Sequence, residues 1–143
     1  MPAFSLDSSC IVAAVCGWHE HHAVAARALE RRLTAGDRLV VAAHALVEAY
    51  AVLTRLPAPH RLAPADAWAL LEANFVSGAE IAALSGSAQV ALLRKLSHGG
   101  IAGGLTYDAL IAASARHGKA AELVTFNRRH FDSVADDLHI VEP

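Results

Sequence analysis

The stretch Ala3-Phe4-Ser5-Leu6-Asp7-Ser8-Ser9-Cys10-Ile11-Val12-Ala13-Ala14-Val15 decides the fold. Ala3 to Leu6 is a short apolar segment, Asp7, Ser8 and Ser9 are residues that cap helices, and Ile11, Val12 and Val15 recur at helical spacing. The chain therefore opens as strand, cap and helix. The same alternation continues outward: a helix is predicted from Glu20 to Leu33, closed by Gly36, and Leu39 to Val41 reads as a short buried strand.

Leu46, Val47, Tyr50, Leu53 and Leu56 fall at near-helical intervals between His44 and Leu56, and Pro57 and Pro59 stop that helix, so that Pro57 to Pro64 is a surface loop. Pro64 opens a helix carrying Trp68, Leu71 and Phe75, and Gly78 to Leu84 is a strand or extended turn. A further amphipathic helix covers Ser87 to Leu96. After the glycines 99, 100, 103 and 104, Thr106 is a candidate N-cap of a helix that ends near His117, with Gly118 as a left-handed cap. Leu123 to Phe126 reads as a strand, Asn127 to Phe131 as a short helical turn, and His139 to Val141 as an edge strand. Short strands alternating with helices predict an α/β fold, a mostly parallel sheet covered on both faces in a three-layer α/β/α sandwich, with residues 1–143 forming one domain.

Composition narrows the function classes. Of 143 residues, 55% are hydrophobic and 18% charged, too apolar for a disordered chain. No apolar run approaches the roughly 20 residues of a membrane span. Met1 to Phe4 carries no basic leader and Asp7 soon interrupts the apolar stretch, so the expected location is the cytoplasm. Cys10 and Cys16, about 9 Å apart along a helix axis, cannot pair and read as reduced, buried thiols. The net charge of −2 lacks the basic signature of many nucleic-acid binders. A nuclease built on carboxylates can nevertheless stay near neutrality while a local arginine rim attracts phosphate.

Three acids stand out. In open parallel sheets the functional crevice lies beyond the carboxyl ends of the strands, and Asp7 sits where the first strand should end, although Asp7 or Ser8 would equally cap the next helix. Glu48 lies within an apolar helix, with His44 at i−4 and Ala51, Val52 and Arg55 at i+3, i+4 and i+7. It is either a solvated partner of His44 or a carboxylate in need of a cation. Asp108, in the first turn of a helix, also complements the helix dipole. Three converging carboxylates would repel one another, and a divalent cation removes that penalty. All-oxygen ligation selects a hard ion, Mg²⁺ or Mn²⁺, whose chemistry is the activation of water against phosphate.

The strings LDSSCIVAAV (6–15), AAHALVEAYAVLTRLP (42–57), GGLTYDALIAASARHG (103–118) and LVTFNRRHF (123–131), taken in order, resemble the VapC-type branch of the PIN-domain ribonucleases over essentially the whole chain. The resemblance implies a Mg²⁺- or Mn²⁺-dependent endoribonuclease that is the toxin of a type II toxin–antitoxin pair, held in check by a VapB-type antitoxin and assembled as a homodimer. It implies that Asp7, Glu48 and Asp108 are the metal ligands. The family's fourth acidic or polar position matches Asn127, an amide that brings no negative charge. Ser9, Thr106 and Thr125 are candidates to orient the carboxylates by hydrogen bonds. Arg116, Arg128 and Arg129, with Arg55 and Lys119, are candidates to line an RNA path, and each would serve equally as a surface charge.

Other motifs lead elsewhere. His19-Glu20-His21-His22 places Ala23 where a zincin helix needs its second histidine, and reads as a solvated helix start. The glycine cluster lacks the Lys and Ser/Thr of a phosphate-binding loop and reads as a flexible connection. A catalytically silent PIN-like module that binds RNA or protein is the alternative that Asn127 and the low charge leave open. A phosphoacceptor domain of receiver or phosphatase type fits less well. Asp7 has no aspartate two residues on, and no lysine follows the strand at Leu123 to Phe126.

Overall fold

Ala3–Leu6 forms β1, and all four residues are buried, as a strand covered on both faces demands. The structure, a computed structural model, describes residues 2–143. After β1 come α1 (Ser8–Val15), α2 (His22–Thr34), β2 (Arg38–Ala42), α3 (Ala43–Arg55) and α4 (Pro64–Leu71). Then follow β3 (Glu80–Ala82), α5 (Gly86–His98), α6 (Leu105–His117), β4 (Glu122–Val124), α7 (Arg128–Asp132) and β5 (His139–Val141).

The strands make one sheet in the order β3-β2-β1-β4-β5, and all four pairings are parallel. The chain builds β1, β2 and β3 in one direction, then crosses back to β4 on the other side of β1. Right-handed crossovers therefore put α1 to α4 on one face of the sheet and α5 and α6 on the other. This is the expected α/β/α sandwich. The order reverses beside β1, so the crevice opens beyond the ends of β1 and β4.

Phe4, Leu6, Ile11, Val40, Val41, Leu53, Phe75, Leu123 and Phe131 are fully buried around the sheet. Cys10 and Cys16 belong to this core as free thiols. α6 packs on the sheet through small residues, Ala109, Ala112, Ala113 and Ala115 being buried together with Ile111 and Ser114. Among the described residues no helix is long and apolar enough to cross a membrane.

Several local expectations are corrected. α6 begins at Leu105 after Gly104, so Thr106 lies inside the helix rather than capping it. Gly118 has φ −79° and is not a left-handed cap; Lys119, at φ 69°, takes that conformation. Glycine is needed at 118 for space, since a Cβ there would lie 2.5 Å from Val40 Cγ1 and 3.1 Å from Ala82 Cβ. α4 runs on into a π-helical turn at Glu72–Val76, whose wider winding seats Phe75 in the core. β4 ends at Val124, and the backbone turns so that Phe126 is only half-buried. α2 starts at His22, two residues later than predicted, leaving Trp18 to His21 in turns.

Candidate active site

Asp7 is both helix cap and buried carboxylate. It follows β1 directly, its N–H donates to the Val124 carbonyl at 3.2 Å, and it is only 3% exposed. Oδ1 accepts from the Cys10 N–H at 3.1 Å, which caps α1, and from Ser9 Oγ at 2.6 Å. Oδ2 accepts from Thr125 Oγ1 at 2.6 Å. Burial pushes its pKa above the usual carboxylate range, and the Ser9, Thr125 and Cys10 donors pull against that rise without cancelling it. The capping role and the role at the strand end are thus played by one side chain.

Glu48 stands at the middle of α3, half-buried. Ser8 Oγ donates to its Oε2 at 3.2 Å, which ties α3 to the residue next to Asp7. His44, one turn earlier, brings Nε2 to 2.8 Å from Oε1. The approach lies off the line of a hydrogen bond, so this buried nitrogen has no hydrogen-bond partner and the contact is one of proximity. The His44 ring lies parallel to that of Tyr107, with centroids 5.2 Å apart and planes 3° apart.

Asp108 follows Tyr107 in the first turn of α6. Its pKa is raised chiefly by burial; His130 opposes the rise, and the charges of Glu48 and then Asp7 add to it. The three carboxylates therefore come close enough for their charges to act on one another. Among the described residues none of them forms an ion pair with an arginine or lysine. Among those residues no three His, Cys, Asp or Glu side chains stand as a group that could hold a metal ion as they are placed here. The chemistry of the donors suits a hard cation, because carboxylate oxygens are its preferred ligands and, among the described residues, no arginine or lysine is paired with these acids.

Ser9 and Thr125 do hold Asp7, as their positions suggested. Thr106 makes no side-chain hydrogen bond to the three acids among the described residues. Asn127 is exposed, its N–H donates to Thr125 Oγ1 at 2.9 Å, and it lines a cleft of about 510 Å³ together with Ser8, Ser9, His19, His21 and Phe126. Arg128 and Arg129 are exposed at the start of α7. Arg116 is occupied elsewhere: its guanidinium donates to the carbonyls of Val134 and Ala135 at 3.3 and 3.0 Å and pairs with Asp136 at 3.1 Å. It buttresses the turn before β5.

Two groups near the acids escaped the sequence reading. His130 is separated from Asp108 by 22 residues, and no periodicity joins them. Residues 19 to 21, set aside because they lack zincin spacing, form a turn whose rings border the cleft. Their only sequence signal was the density of rings from Trp18 to His22.

The PIN domain family profile matches residues 5–137. Ribonuclease VapC40 of Mycobacterium tuberculosis (strain ATCC 25618 / H37Rv) is 41% identical over 123 residues, 86% of this chain and 85% of the relative. Ribonuclease VapC27 of the same strain is 37% identical over 142 residues, covering 98% of this chain and 96% of the relative. Among solved structures, DNA-bound VapBC from Salmonella typhimurium superposes with a TM-score of 0.70 at 22% identity, over 99% of this chain and 98% of that one. Mycobacterium tuberculosis VapC20, described as a Sarcin-Ricin loop cleaving toxin, gives 0.66 at 18% identity, over 94% and 95% of the two chains. At such identities these two likenesses establish the fold. The chain belongs to the PIN-domain family. Within that family its place is with the VapC proteins, which it matches over nearly its whole length.

Proposed function

We infer that this protein is an endoribonuclease, dependent on Mg²⁺ or Mn²⁺, that acts as the toxin of a type II toxin–antitoxin pair and is restrained by a VapB-type antitoxin. The observation that carries the reading is that Asp7, Glu48 and Asp108, from the end of β1, the middle of α3 and the first turn of α6, lie near enough for the charges of the first two to act on the third, with no arginine or lysine paired to them among the described residues. The two Mycobacterium tuberculosis relatives named as ribonucleases support it. The VapBC complexes among the structural neighbours support the antitoxin as partner. Homodimerisation and a cytoplasmic location belong to the same reading.

Asp7, Glu48 and Asp108 would hold the ion, which when bound supplies a Lewis acid that activates water and offsets charge on the phosphate. The chain's own residues do the positioning. Ser9 and Thr125 fix the two oxygens of Asp7, and Ser8 steers Glu48. Asn127 offers a neutral amide at the fourth position, so the acidic side chains here number three. Arg128 and Arg129, exposed at the start of α7, would meet the RNA backbone.

The test is cleavage of RNA that requires Mg²⁺ or Mn²⁺ and is lost in Asp7→Ala or Asp108→Asn with folding intact. A folded variant that still cuts at the wild-type rate would overturn the assignment. Asn127 favours one other reading, a silent RNA- or protein-binding module. That reading requires that wild type bind RNA and cleave none with either ion present.

A further inference from the structure

Five aromatic rings, of which Trp18, His21 and His60 are exposed and His19 and Phe126 half-buried, form a continuous path that ends beside Asp7's hydrogen-bonding partners. His60 stacks on Trp18, with centroids 4.1 Å apart and planes 21° apart. Trp18 meets His19 at 5.8 Å, His19 meets His21 at 5.6 Å, and His21 stacks on Phe126 at 4.8 Å and 24°. Three of these rings come from the turn after α1, one from the Pro57–Pro64 loop and one from the segment after β4. None of the first four belongs to the hydrophobic core, and Trp18 is 49% exposed. A large aromatic left half in water beside a cleft is a surface prepared for a partner.

The end of the path identifies the partner. The Phe126 N–H donates to Ser9 Oγ at 3.3 Å and the next N–H, of Asn127, donates to Thr125 Oγ1. Those two hydroxyls are the ones that hold the oxygens of Asp7. The backbone that carries the last ring is therefore tied to the Asp7 carboxylate through the Ser9 and Thr125 hydroxyls, which sets the end of the path next to that acid. The cleft beneath His19, His21 and Phe126, about 510 Å³, is of the size that takes a small molecule or a nucleotide. Every nucleobase has a π-face, and unstacked bases of single-stranded RNA are held on aromatic side chains in this way, whereas a duplex keeps its faces hidden.

We propose that the Trp18–His19–His21–Phe126 path is a base-stacking track that seats unpaired nucleotides adjoining the scissile phosphate. The proposal rests on the ribonuclease reading, and its test separates the two. Trp18 and Trp68 are the two tryptophans, and Trp68 belongs to α4 rather than to the path, so Trp68→Phe leaves Trp18 as the sole indole reporter. In that background, with Asp108→Asn to prevent cleavage and with Mn²⁺ present, a short single-stranded oligoribonucleotide should quench Trp18 fluorescence and a blunt duplex of the same sequence should not. Affinity, read by fluorescence anisotropy of labelled oligonucleotide, should fall roughly five- to hundredfold in Trp18→Ala or His21→Ala, the loss of one base stack. Trp18→Phe and His21→Phe keep a ring and should bind within about threefold of the parent, which separates stacking from damage to the turn.

Single-strand binding that is untouched by Trp18→Ala and His21→Ala, or equal binding of duplex, would overturn the track while leaving ribonuclease activity in place. A wild-type protein that neither binds nor cuts RNA would overturn both. Loss of antitoxin binding in Trp18→Ala with RNA affinity unchanged would assign the path to a protein partner and overturn the proposal.

Discussion

Thr125 Oγ1 donates to Asp7 Oδ2 at 2.6 Å, across 118 residues of sequence. The bond exists because β1 and β4 are neighbours, with Leu6 opposite Val124, so that the residues just past the two strand ends face each other. Each hydrogen bond to a buried carboxylate restrains its direction, and an acid that must meet an ion depends on that restraint.

Thr125→Val keeps the shape of the side chain and removes the donor. It should lower Mn²⁺ affinity and RNA cleavage together by about 10- to 100-fold. Thr125→Ser should recover most of both. Calorimetric titration with Mn²⁺ checks the first, and a single-turnover cleavage assay the second.

Divalent ions should stabilise the fold through the acids. At 100 times its dissociation constant a bound ion adds about 2.7 kcal/mol. Denaturation with and without Mn²⁺ should show that gain in wild type, and Asp108→Asn should lose most of it. Equal gains in both proteins would place the ion elsewhere.

Acidity should act on stability with a definite sign. Burial raises the pKa of Asp7, and burial followed by Glu48 and Asp7 raises that of Asp108 against the pull of His130. Between the ordinary carboxylate range and the raised folded values the native state holds more protons than the unfolded chain, so these groups lose stability as pH rises through that window. In EDTA, wild type should therefore be more stable in mild acid than at neutral pH relative to Asp7→Asn, whose amide does not titrate. Urea midpoints of the two proteins from pH 4 to 8 measure the difference, and a gap that widened in wild type's favour as pH rose would contradict it.

Gly118→Ala should cost about 1–3 kcal/mol by overpacking, since the added carbon meets Val40 and Ala82. Val40→Ala opens space at the same point, so the double variant should be less destabilised than the two single changes combined. Urea denaturation of the four proteins in a cycle gives the coupling.

The arginines should divide by role. Arg116→Gln should lower stability by about 1–3 kcal/mol, because it breaks charged hydrogen bonds to Val134 and Ala135. It should leave the salt dependence of RNA binding unchanged. Arg128→Ala and Arg129→Ala should each reduce the salt slope of binding by about one, with stability preserved.

Much of this fold was legible because it rests on local signals. Apolar Ala3 to Leu6 followed by Asp7 announces a central strand and its cap, and Pro57 ends α3 wherever the helix packs. What resisted was set by contacts between distant segments. Gly118 reads as a turn glycine, yet Val40 is the reason for it. Thr106 has the chemistry of a cap, but the helix starts earlier, at Leu105 after Gly104. The π-helical turn answers to the seat of Phe75, which no period reveals. At the candidate site the acids showed themselves by lying at element ends or in apolar surroundings. Arg116 offered nothing to separate it from Arg128, because its partners at residues 134 to 136 follow from the fold alone. The rings at 18, 19, 21, 60 and 126 are an alignment that only the folded chain brings about.

The placement of β4 beside β1 also governs when the molecule is complete. During synthesis the strand carrying Asp7 is made before its neighbour β4, and the threonine that holds the carboxylate comes more than a hundred residues later. A growing chain carries the acid long before it carries the means to aim it.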